Sequence, residues 1–135
     1  MTAELPTVLF VCIQNAGRSQ MAQAIFNNIV GGRALARSAG SKPAPEVHPE
    51  VVKVLAEIDI DLAAAKPQGL TPHVVEGVDV VVGMGCGDAC PVVPGARKLD
   101  WDLPDPSGKS VHDVRMILGE IERLVRQLVS QMGLV

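Results

Sequence analysis

The stretch Cys-Ile-Gln-Asn-Ala-Gly-Arg-Ser, residues 12–19, carries a cysteine, an arginine and a serine that could together bind and attack an anion. It follows the apolar run 7–11, which is typical of a strand buried on both faces of a parallel sheet, and it precedes a helical pattern. Backbone N–H groups ahead of a helix have no helical partner, and with the helix dipole they favour an anion. The same field favours the thiolate of Cys12, which is the reactive form of the thiol.

The arginine and the serine of this stretch suit the same chemistry. Arg18 offers a planar fork that matches two oxygens of a tetrahedral oxyanion, and Ser19 can donate a hydrogen bond to the sulfur. Taken alone, Cys12 could be a buried core residue and Arg18 a surface charge, because free cysteine often packs like a small hydrophobe. The placement of both between a strand and a helix favours the functional interpretation.

A second candidate group is Asp105, which stands before Pro106 and could protonate a leaving oxygen. Asp-Pro pairs are also common turn formers, so a purely local role stays open. Asp102 lies close by and is the alternative acid.

Two further cysteines, Cys86 and Cys90, lie in a stretch rich in glycine and proline that follows a predicted strand. Because the carboxyl ends of parallel strands share one edge, this loop can reach Cys12. Half of a zinc site and two unrelated buried thiols are the alternatives. Zinc usually takes four ligands, so the zinc site is disfavoured. The histidines show no ligand spacing and lie at positions 48, 73 and 112.

The periodicity of the chain predicts an α/β fold, a sandwich with a parallel sheet, because strands alternate with helices. The predicted strands are 7–11, 34–38, 78–82 and 97–99. Predicted helices begin after Arg18, at Pro49 and near Ser110, with a short helical turn at 74–77.

The composition predicts a single domain over residues 1–135, with 47% hydrophobic and 20% charged residues. The net charge of −3 supplies no basic stripe, so we expect no nucleic-acid partner. No apolar run approaches the roughly 18 residues of a membrane span, and the amino-terminal residues lack the features of a signal peptide. We therefore expect a cytoplasmic protein without a membrane partner.

Residues 12–19 resemble the Cys-x5-Arg-Ser phosphate loop of low-molecular-weight tyrosine phosphatases and the arsenate reductases related to them. The continuation 15–22, Asn-Ala-Gly-Arg-Ser-Gln-Met-Ala, looks like the reductase branch, since phosphatases usually place Pro where Gln20 stands. The Ser-Ala-Gly turn at 38–40 and the pair Asp105-Pro106 also have counterparts in the family. The resemblance implies a three-layer sandwich with a four-stranded parallel sheet.

The resemblance also implies roles for single residues. Cys12 would be the nucleophile, Arg18 the oxyanion binder, Asn15 the residue that shapes the loop and Asp105 the general acid. The residues implied to surround the oxyanion are Ile13, Gln14, Asn15, Ala16, Gly17, Arg18 and Ser19.

The second pair of thiols fits the reductase branch. Attack by Cys86 on a Cys12–arsenic adduct would release arsenite and leave a Cys12–Cys86 disulfide, which Cys90 would then take over and pass to the surface. Thioredoxin-coupled members generally separate the last two cysteines by more than the three residues found here. A related branch uses mycothiol, or glutathione with a glutaredoxin-type protein, as the external thiol reductant. Phosphate and sulfate would compete with arsenate, and no bound cofactor is expected.

Some reductases bind potassium near the loop through an acidic residue of the first helix. Gln23 occupies that position, so we expect no metal.

Two other functions stay open at the level of sequence. A tyrosine phosphatase would use the same loop, but it usually carries aromatic residues after the Asp-Pro pair, where this chain has Ser107 and Gly108 and contains no Tyr. A phosphocarrier module would hold a phosphocysteine on a similar loop, but such modules generally lack the arginine and the acid.

Overall fold

Four parallel strands, in the order β2-β1-β3-β4, form the centre of the protein in this computed structural model, which describes residues 5–134. In chain order the elements are β1 (Thr7–Cys12), α1 (Arg18–Val30), β2 (Leu35–Gly40), α2 (Pro49–Ala56), α3 (Pro72–Val75), β3 (Val80–Gly83), a 3₁₀ turn (Gly87–Ala89), β4 (Arg97–Asp100) and α4 (Val111–Gln131). The predicted α/β fold with a four-stranded parallel sheet is confirmed.

Helices cover both faces of the sheet and produce three layers. Helices α1, α2 and α4 pack on one face around Phe10, Met21, Val51 and Ile121, which are all fully buried. A smaller cluster on the other face joins Leu9 and residues of the β1 and β3 strands to the short helix α3. Burial on both faces explains why all six residues of β1 are inaccessible and why its sequence is a continuous apolar run.

A side chain fixes where α4 begins, and an ion pair joins α4 to the end of α2. The Ser110 hydroxyl accepts a hydrogen bond from the Asp113 N–H at 3.2 Å and thereby caps α4. At the end of α2, the Glu57 carboxylate accepts two hydrogen bonds from Arg115 of α4, at 2.8 and 2.7 Å. These hydrogen bonds lower the pKa of the Glu57 carboxyl from its ordinary value.

The boundaries of two predicted elements differ from the structure for local reasons. Strand β3 begins at Val80 rather than at 78, because the Asp79 carboxylate turns to accept the Thr7 N–H at 2.8 Å. The helical turn predicted at 74–77 lies at Pro72–Val75, because the Thr71 hydroxyl accepts the Val74 N–H at 3.3 Å and starts it earlier. The other strands shift by one or two residues, and the glycine- and proline-rich stretch of Cys86 and Cys90 contains the 3₁₀ turn.

The carboxyl ends of the strands meet at one edge of the sheet. Cys12 pairs in register with Gly40, and Gly83 pairs with Asp100. Three loops leave this edge. The loop between β1 and α1 lies within residues 12–19, which we call the anion loop; the loop after β3 carries the two further cysteines, and the loop after β4 carries the Asp-Pro pair. The fold therefore brings all the candidate groups to the same end of the molecule.

Within residues 5–134 no helix is long and apolar enough to cross a membrane.

We predict that Gly40→Ala lowers the free energy of unfolding by about 1–3 kcal/mol, the usual cost of overpacking. A Cβ atom at position 40 would lie 2.5 Å from the Ile13 carbonyl oxygen and 2.8 Å from the Asn15 backbone nitrogen. Gly119→Ala is the matched control. It lies in α4 with nothing within 4 Å of the added methyl, and it is expected to raise stability by roughly 0.5–1 kcal/mol. Urea unfolding measures both changes, and a Gly40→Ala variant as stable as the parent would contradict the account.

Candidate active site

The sulfur of Cys12 lies inside the turn of the loop that follows β1. It accepts the backbone N–H of Asn15 at 3.2 Å, and its distance to the Ser19 hydroxyl oxygen is 2.8 Å. Both donors favour a negative charge on the sulfur. Cys12 is buried and is the one free cysteine of the described chain. The two hydrogen-bond partners of the sulfur therefore come from the loop and from the first turn of α1, where the sequence analysis expects an anion to bind.

Asn15 fixes the shape of this loop. Its backbone is left-handed, with φ 52°, which asparagine tolerates better than most residues. The side-chain oxygen accepts hydrogen bonds from the Gln68 backbone N–H at 2.9 Å and from the Gln20 amide at 3.2 Å. Because the Gln68 backbone N–H can only donate, the Asn15 side-chain atom that it contacts must be the oxygen. The side-chain nitrogen of Asn15 therefore faces the Ser19 hydroxyl oxygen, which lies 2.7 Å away. Ser19 accepts that bond and can give its own proton to the Cys12 sulfur.

Arg18 begins α1 and turns its guanidinium into the same site. The residue is only 7% exposed. Nη1 donates to the Leu103 carbonyl oxygen at 3.2 Å, and Nη2 lies 3.8 Å from a carboxylate oxygen of Asp105. These contacts place a fixed positive charge beside the pocket that contains the Cys12 sulfur.

Asp105, and not Asp102, lies in this pocket. The small pocket is lined by Cys12, Gln14, Gly17, Arg18, His48 and Asp105. The Asp105 side chain is 51% exposed, and its other carboxylate oxygen accepts the Ser107 N–H at 3.0 Å. The turn interpretation and the site interpretation of Asp105 therefore both describe real contacts. Pro106 packs against Gly17, so the loop after β4 that carries Asp105 contacts the anion loop.

His48 is the pocket residue that the sequence analysis missed. It precedes α2, its backbone N–H donates to the Ala16 carbonyl at 3.0 Å, and its ring approaches Gly17. In the sequence His48 was marked only by its place at a helix start. Its position in the pocket depends on the fold, which brings the loop after β2 beside the loop after β1.

Cys86 and Cys90 form a disulfide, with a Cα–Cα distance of 5.2 Å. The Cys86 sulfur lies 3.7 Å from the carbonyl oxygen of Val11, the residue before Cys12. The pair packs in the cluster on the α3 side of the sheet, whereas Cys12 belongs to the cluster on the α1 side. Each of the two cysteines is 8% exposed in this form, and their disulfide fits the predicted relay, whose transfer to the surface stays a prediction.

Neutral side chains surround Gln23, which stands where some reductases have the acidic residue that binds potassium. The Ser38 hydroxyl donates to the side-chain oxygen of Gln23, and the Gln68 amide donates to the Ser38 carbonyl at 2.8 Å. Within residues 5–134, His, Cys, Asp and Glu side chains form no group of three or more that could hold a metal.

This arrangement has the parts of a nucleophilic oxyanion site. A sulfur surrounded by donors can attack, a buried guanidinium can bind the oxyanion, and an exposed carboxylate can supply a proton. The thiol pair beside the same strand end adds a means of moving electrons.

Comparison with known proteins agrees with this geometry. Residues 7–134 match the family described as low molecular weight phosphotyrosine protein phosphatase. The structure of a thioredoxin-dependent arsenate reductase from Corynebacterium glutamicum is 39% identical, with a TM-score of 0.86 over 99% of this chain; this chain spans 65% of that one, under two thirds of its length.

Two relatives similar in sequence are of nearly the same length as this chain. Arsenate reductase 2 of Staphylococcus saprophyticus is 32% identical over 90% of this chain and 94% of its own. The glutaredoxin arsenate reductase of Synechocystis is 29% identical over 93% of this chain and 98% of its own. The chain therefore belongs to the low molecular weight phosphotyrosine protein phosphatase family and resembles, within it, proteins named arsenate reductase.

Proposed function

We propose that this protein is an arsenate reductase that converts arsenate to arsenite with electrons from an external thiol reductant. The observation that carries the proposal is the presence of a redox-capable thiol pair, Cys86 and Cys90, at the strand edge that also holds the anion loop of Cys12. The names of the relatives support the same reaction.

The first step is attack by the Cys12 thiolate on arsenic. A sulfur–arsenic bond forms, and one arsenate oxygen leaves as water after it is protonated, with Asp105 as the proton donor. Arg18 balances the charge of the oxyanion, and the Asp105 carboxylate, which lies 3.8 Å from Arg18 and is half exposed, lines the same pocket. Arsenic is still in its pentavalent state after this step.

The second step reduces arsenic. The Cys86 thiolate attacks the Cys12 sulfur, and the electron pair of the sulfur–arsenic bond stays on arsenic, which leaves as arsenite. Cys12 and Cys86 are then joined by a disulfide. Phosphorus does not accept the electron pair in this way, which is why a phosphatase has no use for the second thiol.

The third step regenerates Cys12. The Cys90 thiolate attacks the Cys86 sulfur and displaces the Cys12 thiolate, which gives the Cys86–Cys90 disulfide. Such a disulfide takes two electrons from a dithiol reductant of the thioredoxin type. The Corynebacterium relative is named thioredoxin-dependent and supports this route; the Synechocystis relative is named for glutaredoxin, and a mycothiol or glutathione system is the alternative.

A coupled assay tests the proposal. The protein is mixed with thioredoxin, thioredoxin reductase and NADPH, and NADPH oxidation is followed before and after arsenate is added. Arsenate-dependent oxidation that disappears in Cys86→Ser is the expected result. No such oxidation with thioredoxin, mycothiol or glutathione systems, together with brisk aryl phosphate hydrolysis that survives Cys86→Ser, would replace the reductase with a phosphatase.

We predict that Cys90→Ser stops the cycle at the Cys12–Cys86 disulfide. After one exposure to arsenate without reductant, peptide mass spectrometry should find that bond in the variant and the Cys86–Cys90 bond in the parent protein. A variant in which Cys12 and Cys86 both stay reduced, although arsenite is released, would contradict the order of transfer.

We predict that Arg18→Lys lowers kcat/KM for arsenate about 10- to 100-fold, because lysine lacks the fork and a hydrogen bond to a charged group contributes about 1.5–3 kcal/mol. Arg33→Lys is the matched control: Arg33 is exposed at the end of α1 and donates to the Val30 carbonyl at 2.9 Å, away from the pocket. Equal kcat/KM values for the two variants would argue against Arg18 as the oxyanion binder.

A further inference from the structure

Gly85, the residue before Cys86, faces the guanidinium of Arg18. A Cβ atom built on Gly85 would lie 2.5 Å from Nη1, 3.2 Å from Cζ and 3.4 Å from Nη2 of Arg18. The three nearest atoms all belong to the guanidinium, so the arginine occupies the space that a side chain at position 85 would need. Gly85 also has a φ of 95°, which side chains rarely adopt.

The backbone just before Gly85 is hydrogen-bonded to the end of β1. Met84 donates its N–H to the Val11 carbonyl oxygen at 2.7 Å, and the Cys86 sulfur approaches the same oxygen at 3.7 Å. Met84 is fully buried. Moving Gly85 away from Arg18 would strain or break the Met84 hydrogen bond to β1.

Arg18 also has a polar partner. Its Nη1 donates to the Leu103 carbonyl oxygen at 3.2 Å, which limits where the guanidinium can go when it is pushed. The buried guanidinium thus lies in a slot formed by the backbone of the thiol-bearing loop and the loop after β4.

We propose that Gly85 is a positioning residue, through which the backbone of the thiol-bearing loop seats the Arg18 guanidinium for oxyanion binding. The inference rests on the proposed function in taking Arg18 as the oxyanion ligand. A side chain at position 85 displaces the guanidinium and lowers the affinity of the site for an oxyanion, although position 85 itself carries no group that binds one.

The test measures binding of inorganic phosphate and needs no arsenate reduction. In the form with the Cys86–Cys90 disulfide, Cys12 is the free thiol of the described chain, so alkylation by iodoacetate reports on Cys12. The phosphate concentration that halves the alkylation rate is compared in the parent protein, Gly85→Ala and Gly87→Ala. Gly87 is the matched control, because it lies in the same loop with a positive φ of 57° and nothing within 4 Å of an added methyl.

Gly85→Ala is expected to raise the half-protecting phosphate concentration at least tenfold, or about 1.4 kcal/mol, while Gly87→Ala changes it less than twofold. In an Arg18→Ala background, adding Gly85→Ala should change it less than twofold, because the group through which Gly85 acts is gone. A conformational role alone would not give this dependence on Arg18.

If Gly85→Ala folds, three results would overturn the proposal: unchanged phosphate affinity in Gly85→Ala, an equal loss in both glycine variants, or the full Gly85→Ala effect in the Arg18→Ala background. Should Gly85→Ala fail to fold, the Gly85→Ala/Arg18→Ala double variant decides. Folding of the double variant supports a clash with the guanidinium, and its failure alongside a folded Gly87→Ala assigns Gly85 a conformational role and overturns the proposal. If arsenate reduction fails but these phosphate results hold, only the proposed function is lost.

Discussion

A negatively charged sulfur can be buried only where donors surround it, because an unpaired charge is costly to remove from water. At the end of β1 those donors are the Asn15 backbone N–H and the Ser19 hydroxyl. Both depend on one left-handed residue, Asn15, whose side chain is fixed by the Gln68 backbone and passes the orientation on to Ser19. The reactivity that we propose for Cys12 therefore depends on a short series of hydrogen bonds. Donation runs from the Gln68 N–H to the Asn15 amide, from that amide to the Ser19 hydroxyl, and from the hydroxyl to the Cys12 sulfur.

The parallel sheet places the remaining groups near one another because each lies at or shortly after the carboxyl end of a strand. Cys12 ends β1, the thiol pair follows β3 and Asp105 follows β4, and these three strands are adjacent in the sheet. The loops after β1 and β4 provide what any thiol-based oxyanion enzyme needs. The loop after β3 is the one that separates reduction from hydrolysis, and its contact with Arg18 through Gly85 makes it part of the anion site as well.

The part of the site that could be predicted from the sequence is the part formed by residues adjacent in the chain. The loop of Cys12 and Arg18 was recognisable because a strand, an anion loop and a helix follow one another directly in the chain. The pocket position of His48 and the approach of Gly85 to Arg18 were not, because each depends on how loops distant in sequence pack together. Asp105 was preferred to Asp102 only because its Asp-Pro pair matches the family, and the pocket contains Asp105. The face of the sheet on which the thiol pair packs was not predictable for the same reason, because a glycine- and proline-rich loop does not indicate which face it will cover.

A single turnover tests most directly whether the anion loop and the thiol pair form one reaction centre. The fully reduced protein is mixed with excess arsenate in the absence of any reductant, and arsenite and protein disulfide are counted in the same sample. We expect one arsenite and one Cys86–Cys90 disulfide per chain. A protein that binds phosphate and yet yields no arsenite, or yields arsenite while its thiols stay reduced, would contradict the account.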